Sequence, residues 1–249
     1  MRTINNLTRI LLILSVFACS ETNKKSHDQN IEQKINSKYN VSLEPYYSDN
    51  GFIEFIILEG HRISEIPYEI TKLDSLNHLR IDRLNISQLP EWISSLKALK
   101  YLYLIYVPLN EYPTFLDKNK KIEELCIAGS EINKLPDIIN FPELKVLRLE
   151  ESPFIALPLI KRNENQEALS LFIKKTDITE IPSEYNTYSI KKIYIDDNRK
   201  LDHMDNLFGT YDSLKEVNIG YRGHTKFPME SFKKCYNLEV LSLTDQGLW

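Results

Sequence analysis

The sequence predicts an α/β solenoid: a curved stack of short repeats with a parallel β-sheet on the concave face and short helical or 3₁₀ turns on the convex face. Three observations predict it. Prolines at 67, 90, 113, 136, 158, 182 and 228 recur at steps of 22 to 24 residues once one gap is allowed. Counting fourteen residues back from each proline, and adding Ile190 and Leu238, gives unit starts at Ile53, Leu76, Leu99, Ile122, Leu144, Ala168, Ile190, Leu214 and Leu238. The residues three and five after each start are apolar in every unit, Leu79/Ile81, Leu102/Leu104 and Leu147/Leu149 for example, in a chain that is 42% hydrophobic overall.

The elements follow in order. Residues 1–18 carry Arg2 and Arg9, then the apolar run Ile10 to Ala18, broken only by Ser15. At ~1.5 Å per residue in a helix this run is too short to cross a ~30 Å hydrocarbon core, so it reads as a signal peptide. Val16-Phe17-Ala18-Cys19 places an aliphatic residue at −3 and a small one at −1 before a cysteine, and so resembles the lipobox of bacterial lipoproteins. The resemblance implies that Cys19 becomes an acylated N-terminus, since two or more chains at about 0.8 kcal/mol per buried CH₂ hold a protein stably to a bilayer. The implied location is the bacterial cell envelope, at the outer membrane or cell surface. Residues 19–37 contain only Ile31 and Ile35 as sizeable apolar residues and read as a flexible tether, with a short helix from Asn30 as the alternative because the two isoleucines are four apart. Residues 38–52 read as a hairpin cap: an extended run from Val41 to Tyr47, a Ser48-Asp49-Asn50-Gly51 turn, and a strand from Phe52.

Residues 53–249 hold eight units and a final partial one. The unit beginning at Leu76, LNHLRIDRLNISQLPEWISSLKA, resembles the leucine-rich repeat, L-x-x-L-x-L-x-x-N-x-L with a variable outer segment. The period-two core implies one strand per unit, leucines inward, stacked about 4.8 Å apart. Proline cannot donate to a ladder, so its recurrence marks where the chain leaves the sheet. Outer pairs such as Ile70/Leu73, Ile93/Leu96 and Phe232/Cys235 suit a short α or 3₁₀ turn. The family's asparagine position holds His61, Leu84, Val107, Ser130, Ser152, Thr176, Asn198, Arg222 and Gln246, which predicts a weak polar ladder. The unit from Ile190 to Ser213 lacks the proline and shifts its next leucine to Leu201. The chain stops at Trp249 partway through a unit, which leaves three readings: Trp249 folds over the last strand, two chains meet at that uncapped end in self-association, or the chain is a piece of something longer.

Charge and chemistry narrow the function. Lysine plus arginine is 31 against 35 acidic residues, a net of −4, and no basic stripe exists to drive binding to phosphate backbones; nucleic acid is not an expected partner. Three cysteines make no disulfide framework. The five histidines show no metal-ligand spacing, and no Gly-rich phosphate loop or G-x-S-x-G elbow occurs. Cys126 is placed facing outward from its strand without a convincing base beside it. The sequence therefore reads as non-enzymatic, with no cofactor and no metal.

Outward strand positions, by contrast, are rich in aromatic and arginine residues where idle positions would be polar. Phe55, Tyr101, Tyr103, Tyr106, Phe172, Tyr194 and Tyr221 interleave with Arg80, Arg83 and Arg148. Tyrosine and arginine are enriched at interface hot spots because they bury area and keep polar handles. The candidate ligand-binding residues of the concave face are His78, Arg80, Arg83, Tyr101, Tyr103, Tyr106, Arg148, Phe172 and Tyr194. The expected function is binding of a protein or peptide there, by a module tied to the membrane at Cys19. The alternative is a glycan-binding or envelope-structural lipoprotein.

Overall fold

The computed structural model describes residues 27–163, 167–201, 212–221, 232 and 235–245. Among these, strands β1 (Tyr46–Tyr47), β2 (Ile53–Glu59), β3 (His78–Asp82), β4 (Tyr101–Ile105) and β5 (Glu124–Ala128) run side by side in one sheet. A two-residue β6 (Ile138–Ile139) and β8 (Leu159–Ile160) lie apart, while β7 (Val146–Glu150), β9 (Leu169–Lys174), β10 (Ile190–Asp196), β11 (Glu216–Tyr221) and β12 (Val240–Asp245) complete the ten-stranded sheet. Only β1, paired to β2, is antiparallel. Register advances by one unit per strand, Leu79 facing Leu102, then Leu125, Leu147, Leu171, Ile193, Val217 and Leu241. This column and its companion two residues on form the core, which is buried from Ile56 to Ile219. Each such side chain contributes about 1.5–3 kcal/mol by leaving water, and only a neighbouring unit can cover it.

The prolines shape the convex side. Pro67, Pro90, Pro113 and Pro182 each precede a 3₁₀ helix, Tyr68–Lys72, Glu91–Ser95, Thr114–Lys118 and Ser183–Thr187. Their carbonyls accept the first hydrogen bond of each turn, from Ile70, Ile93, Leu116 and Tyr185 at 2.9–3.2 Å, and those four side chains are fully buried. The units starting at Ile122 and Leu144 depart from the expected helical turns: β6 and β8 pair there as a small parallel sheet. Two adjacent isoleucines at 138–139 favour strand, and Pro142 disfavours helical backbone at Phe141.

At the front end the described part of the expected tether, from residue 27 onward, is helical. Residues 27–39 form a helix whose Asp28, Ile31 and Ile35, at i, i+3 and i+7, are all buried. Asp28 accepts a hydrogen bond from the Ile53 N–H at 2.9 Å, and Asn40, at φ 53°, ends the helix as Val41 N–H reaches back to the Asn36 carbonyl at 3.1 Å. Two isoleucines and one buried acid could not stabilise a lone helix. They suffice here because the solenoid's first unit supplies the other half of the core. The cap hairpin is present but short, turning at Asp49-Asn50-Gly51 with Gly51 N–H on the Ser48 carbonyl at 2.7 Å.

The polar ladder is stronger than the residue types suggested. Ser130 N–H and hydroxyl both meet Ser152 Oγ, at 2.9 and 3.1 Å. Asn198 Oδ1 accepts from Thr176 N–H and Oγ1 at 3.0 and 2.8 Å, while its amide donates to the Ile173 and Asp196 carbonyls. Serine and threonine hydroxyls do what asparagine does elsewhere, and Leu84 and Val107 at the same position are buried in the core instead. The expected signal peptide, Cys19, residues 202–211 of the irregular unit and Trp249 lie outside the described residues.

Candidate concave-face binding site

Strand alternation aims the residues two, four and six after each unit start away from the core. The in-register column at the fourth position reads Ile57, Arg80, Tyr103, Cys126, Arg148, Phe172, Tyr194. The column at the second reads Phe55, His78, Tyr101, Glu124, Val146. The candidate aromatics therefore belong to separate columns, and they meet by leaning across them.

At the N-terminal end the rings form one strip. Tyr46 stacks on Phe55 with centroids 5.0 Å apart, Phe55 lies 3.9 Å from His78, and His78 contacts Tyr101 at 5.4 Å and Tyr103 at 4.9 Å. Burial between these rings, aided by the Arg80 charge, holds the His78 pKa below its ordinary 6.5, against an upward pull from Glu124. The imidazole is thus kept neutral and packs as a ring. Burial, together with the Glu124 carboxylate that accepts its hydrogen bond, raises the Tyr103 phenol well above its usual value, so it stays a donor.

Glu124 ties this strip to the next cluster, for Arg148 Nε also donates to its Oε1 at 3.0 Å. The Arg148 guanidinium lies 3.6 Å over the Phe172 ring, which stacks on Tyr194 at 6.0 Å. The third group runs along the strand ends. Residues seven after the unit start adopt positive φ, Arg83, Tyr106, Gly129, Glu151, Lys175 and Asp197. Arg83, Tyr106, Gly129, Glu151 and Lys175 donate their N–H to the carbonyl that ends the next strand, for example Tyr106 to Ala128 at 2.7 Å and Glu151 to Lys174 at 2.8 Å. This turn sends the seventh side chain sideways. Tyr106 lies against Gly129, where a Cβ would come within 2.2 Å of its ring, and its hydroxyl donates to Glu151 at 2.8 Å. Lys175 pairs with the same carboxylate at 3.1 Å. Arg83 sits 5.0 Å over the Tyr106 ring and shares the buried Asp82 with Arg80, at 2.8 and 2.6 Å.

The structure thus gathers all nine candidates into three linked groups: His78 with Tyr101 and Tyr103; Arg80 and Arg83 with Tyr106; Arg148 with Phe172 and Tyr194. The side chain of Tyr221 lies outside the described residues. Sequence reasoning missed Tyr46, assigned to the cap, and the linking roles of Glu124 and Glu151, whose outward strand positions were the available signal. Cys126 faces the concave side as its position predicts, and it is buried there between Tyr103 and Arg148. Burial pushes its thiol up to about 12, so it is no nucleophile. Among the described residues no group of histidine, cysteine, aspartate or glutamate could hold a metal ion, and no helix is long and apolar enough to cross a membrane.

Neither a protein-family model nor a curated protein matches the sequence. Solved structures do. A plant ice-binding protein is similar over 90% of this chain and 80% of its own, with 17% identity and a TM-score of 0.59. The Toll–Spatzle complex of Drosophila matches over 72% of this chain at 19% identity and a TM-score of 0.52, and there the chain spans only 25% of the matched one. The leucine-rich repeat domain of the type III effector XopL matches at 19% identity and a TM-score of 0.45, over 77% of this chain and 63% of its own. At these identities the likeness is one of fold: a curved solenoid with a parallel sheet.

Proposed function

We propose that this chain is a non-enzymatic, lipid-anchored leucine-rich repeat module of a bacterial cell envelope, held at Cys19, that binds a protein or peptide on its concave face. The observation that carries the reading is the linked array of rings and guanidiniums, from the exposed Tyr46 through the half-buried His78 and Tyr103 to Arg148 and Tyr194. Its side chains are already ordered by one another, so a partner that covers them loses little rotamer freedom on binding. Aromatic and arginine anchors of this kind carry most of the energy of protein interfaces. The charges are balanced locally, Asp82 between Arg80 and Arg83 and Glu124 beside Arg148, which suits a partner of mixed polarity rather than a polyanion. Toll, which shares the fold, forms a complex with Spatzle. Ice binding is not favoured: a crystalline surface repeats, whereas the central column changes residue type from Ile57 to Arg80, Tyr103, Cys126 and Arg148.

The test uses the acylated chain and its Tyr101→Ala/Tyr103→Ala variant in detergent as baits for envelope proteins, with melting curves to show that both are folded. A partner held by the parent and lost by the variant supports concave-face binding; equal capture contradicts it. Anchoring is checked separately. Labelling cells with an alkynyl fatty acid is expected to mark the parent and leave Cys19→Ser unmarked and released from the membrane fraction.

A further inference from the structure

On the convex side, away from the concave array, successive 3₁₀ helices leave two adjoining grooves. The first, ≈ 470 Å³, is walled by Tyr68 and Trp92, whose rings stand at 90° with centroids 5.6 Å apart. Tyr39 and Lys38 from the cap helix and Glu65 and Gln88 complete it. The second, ≈ 230 Å³, shares Gln88 and Leu89 with the first and continues past Glu111 to Phe115. Tyr68 is 59% exposed, so its ring face is open to a ligand.

We infer that these grooves bind a neutral oligosaccharide lying across the convex face from Trp92 towards Phe115. A pyranose has an apolar C–H face and a rim of hydroxyls, so it needs a ring to stack on and both donors and acceptors at the edge. The perpendicular pair of Tyr68 and Trp92 supplies a floor and a wall. The Trp92 indole N–H, the Tyr68 hydroxyl and the exposed Gln88 amide have no partner among the described residues and are free to meet hydroxyls. Glu65, held by Tyr39 at 2.8 Å, is the acceptor. Charge selects against anionic ligands: Lys38 is neutralised by Glu69 at 3.2 Å, which leaves Glu65 in the first groove and Glu91 and Glu111 in the second. Phosphate, sulfate and uronate are repelled. The groove volume falls among small-ligand sites, and its continuation into a second groove one repeat on commits the occupant to a chain of sugars rather than one.

The experiment is calorimetric titration of the full chain, in a detergent without a sugar headgroup, with cellopentaose, chitopentaose and maltopentaose, and with a proline decapeptide and a heparin tetrasaccharide as counter-probes. At least one neutral oligosaccharide is expected to bind, weakened about tenfold or more by Trp92→Ala and partly retained by Trp92→Phe. Because Trp92 also packs on the core, Gln88→Ala, an exposed change that leaves folding intact, must weaken binding too. Tyr103→Ala must leave it unchanged, which separates this groove from the concave face. Absence of binding by all three neutral sugars, preference for the proline peptide or heparin, or insensitivity to both groove variants would overturn the inference.

Discussion

Gly129 shows how much one residue decides. It sits at φ 65° in the turn that ends β5, and a Cβ there would meet the Tyr106 ring at 2.2 Å. Gly129→Ala is expected to cost about 1–3 kcal/mol in denaturant unfolding, through left-handed backbone strain and the displaced ring. Adding Tyr106→Ala removes the clash but not the strain, so the double variant should recover part of that loss; additive losses would disprove the contact. Asn198 is the counterpart on the polar side. It serves four hydrogen bonds, and Asn198→Ala would leave Thr176 N–H and two carbonyls short of partners, a loss of about 2–3 kcal/mol by the same measurement. His78 adds a pH dependence. Its folded pKa lies below the unfolded 6.5, so the unfolded chain binds the proton more readily. Stability is therefore full above about pH 6.5 and falls below it as the unfolded chain takes up the proton, until the folded His78 is protonated in turn. His78→Gln should flatten the melting temperature across that interval; an unchanged slope would place the origin elsewhere.

At the scale of elements, the strands and the proline turns were legible because each repeats. The apolar pair at the third and fifth positions and the proline at the fourteenth recur in unit after unit, and the 3₁₀ helices after Pro67, Pro90 and Pro113 follow from them. The helix over residues 27–39 was legible only as the alternative to a tether, since it occurs once and carries only Ile31 and Ile35 as an apolar stripe. Its stability comes from Ile53 and the first unit, a tertiary term that no local pattern encodes. The β6–β8 pair escaped for a related reason: a cross-unit pairing depends on what the neighbouring outer segment does. Ile35→Ala is expected to destabilise by about 2–4 kcal/mol. Because units interact mainly with their neighbours, hydrogen exchange should quicken most in β1 and β2 and least in β9 and β10. Uniform quickening would mean that the cap helix supports the whole stack.

For the whole molecule, the sequence indicated which residues face the concave side, and strand periodicity is sufficient for that. How they meet was hidden, because His78, Tyr101 and Tyr103 come from two columns, and Glu124 connects them to Arg148 across two strands. The same holds for the convex grooves, where Tyr68 and Trp92 belong to different units and are brought to right angles only by the stacking of their 3₁₀ helices. A solenoid of this kind offers two faces of different chemistry: an ordered aromatic and arginine array inside, and a mixed aromatic and amide trough outside. The most direct measurement tests the proposed protein-binding role: the affinity of the chain for a purified protein captured from envelope extracts, compared with Tyr103→Ala and with Trp92→Ala. Loss of about 2 kcal/mol or more with Tyr103→Ala, and none with Trp92→Ala, is the expected result. Equal affinity in the parent and Tyr103→Ala, with both folded, would contradict the assignment of the concave face as the protein-binding surface.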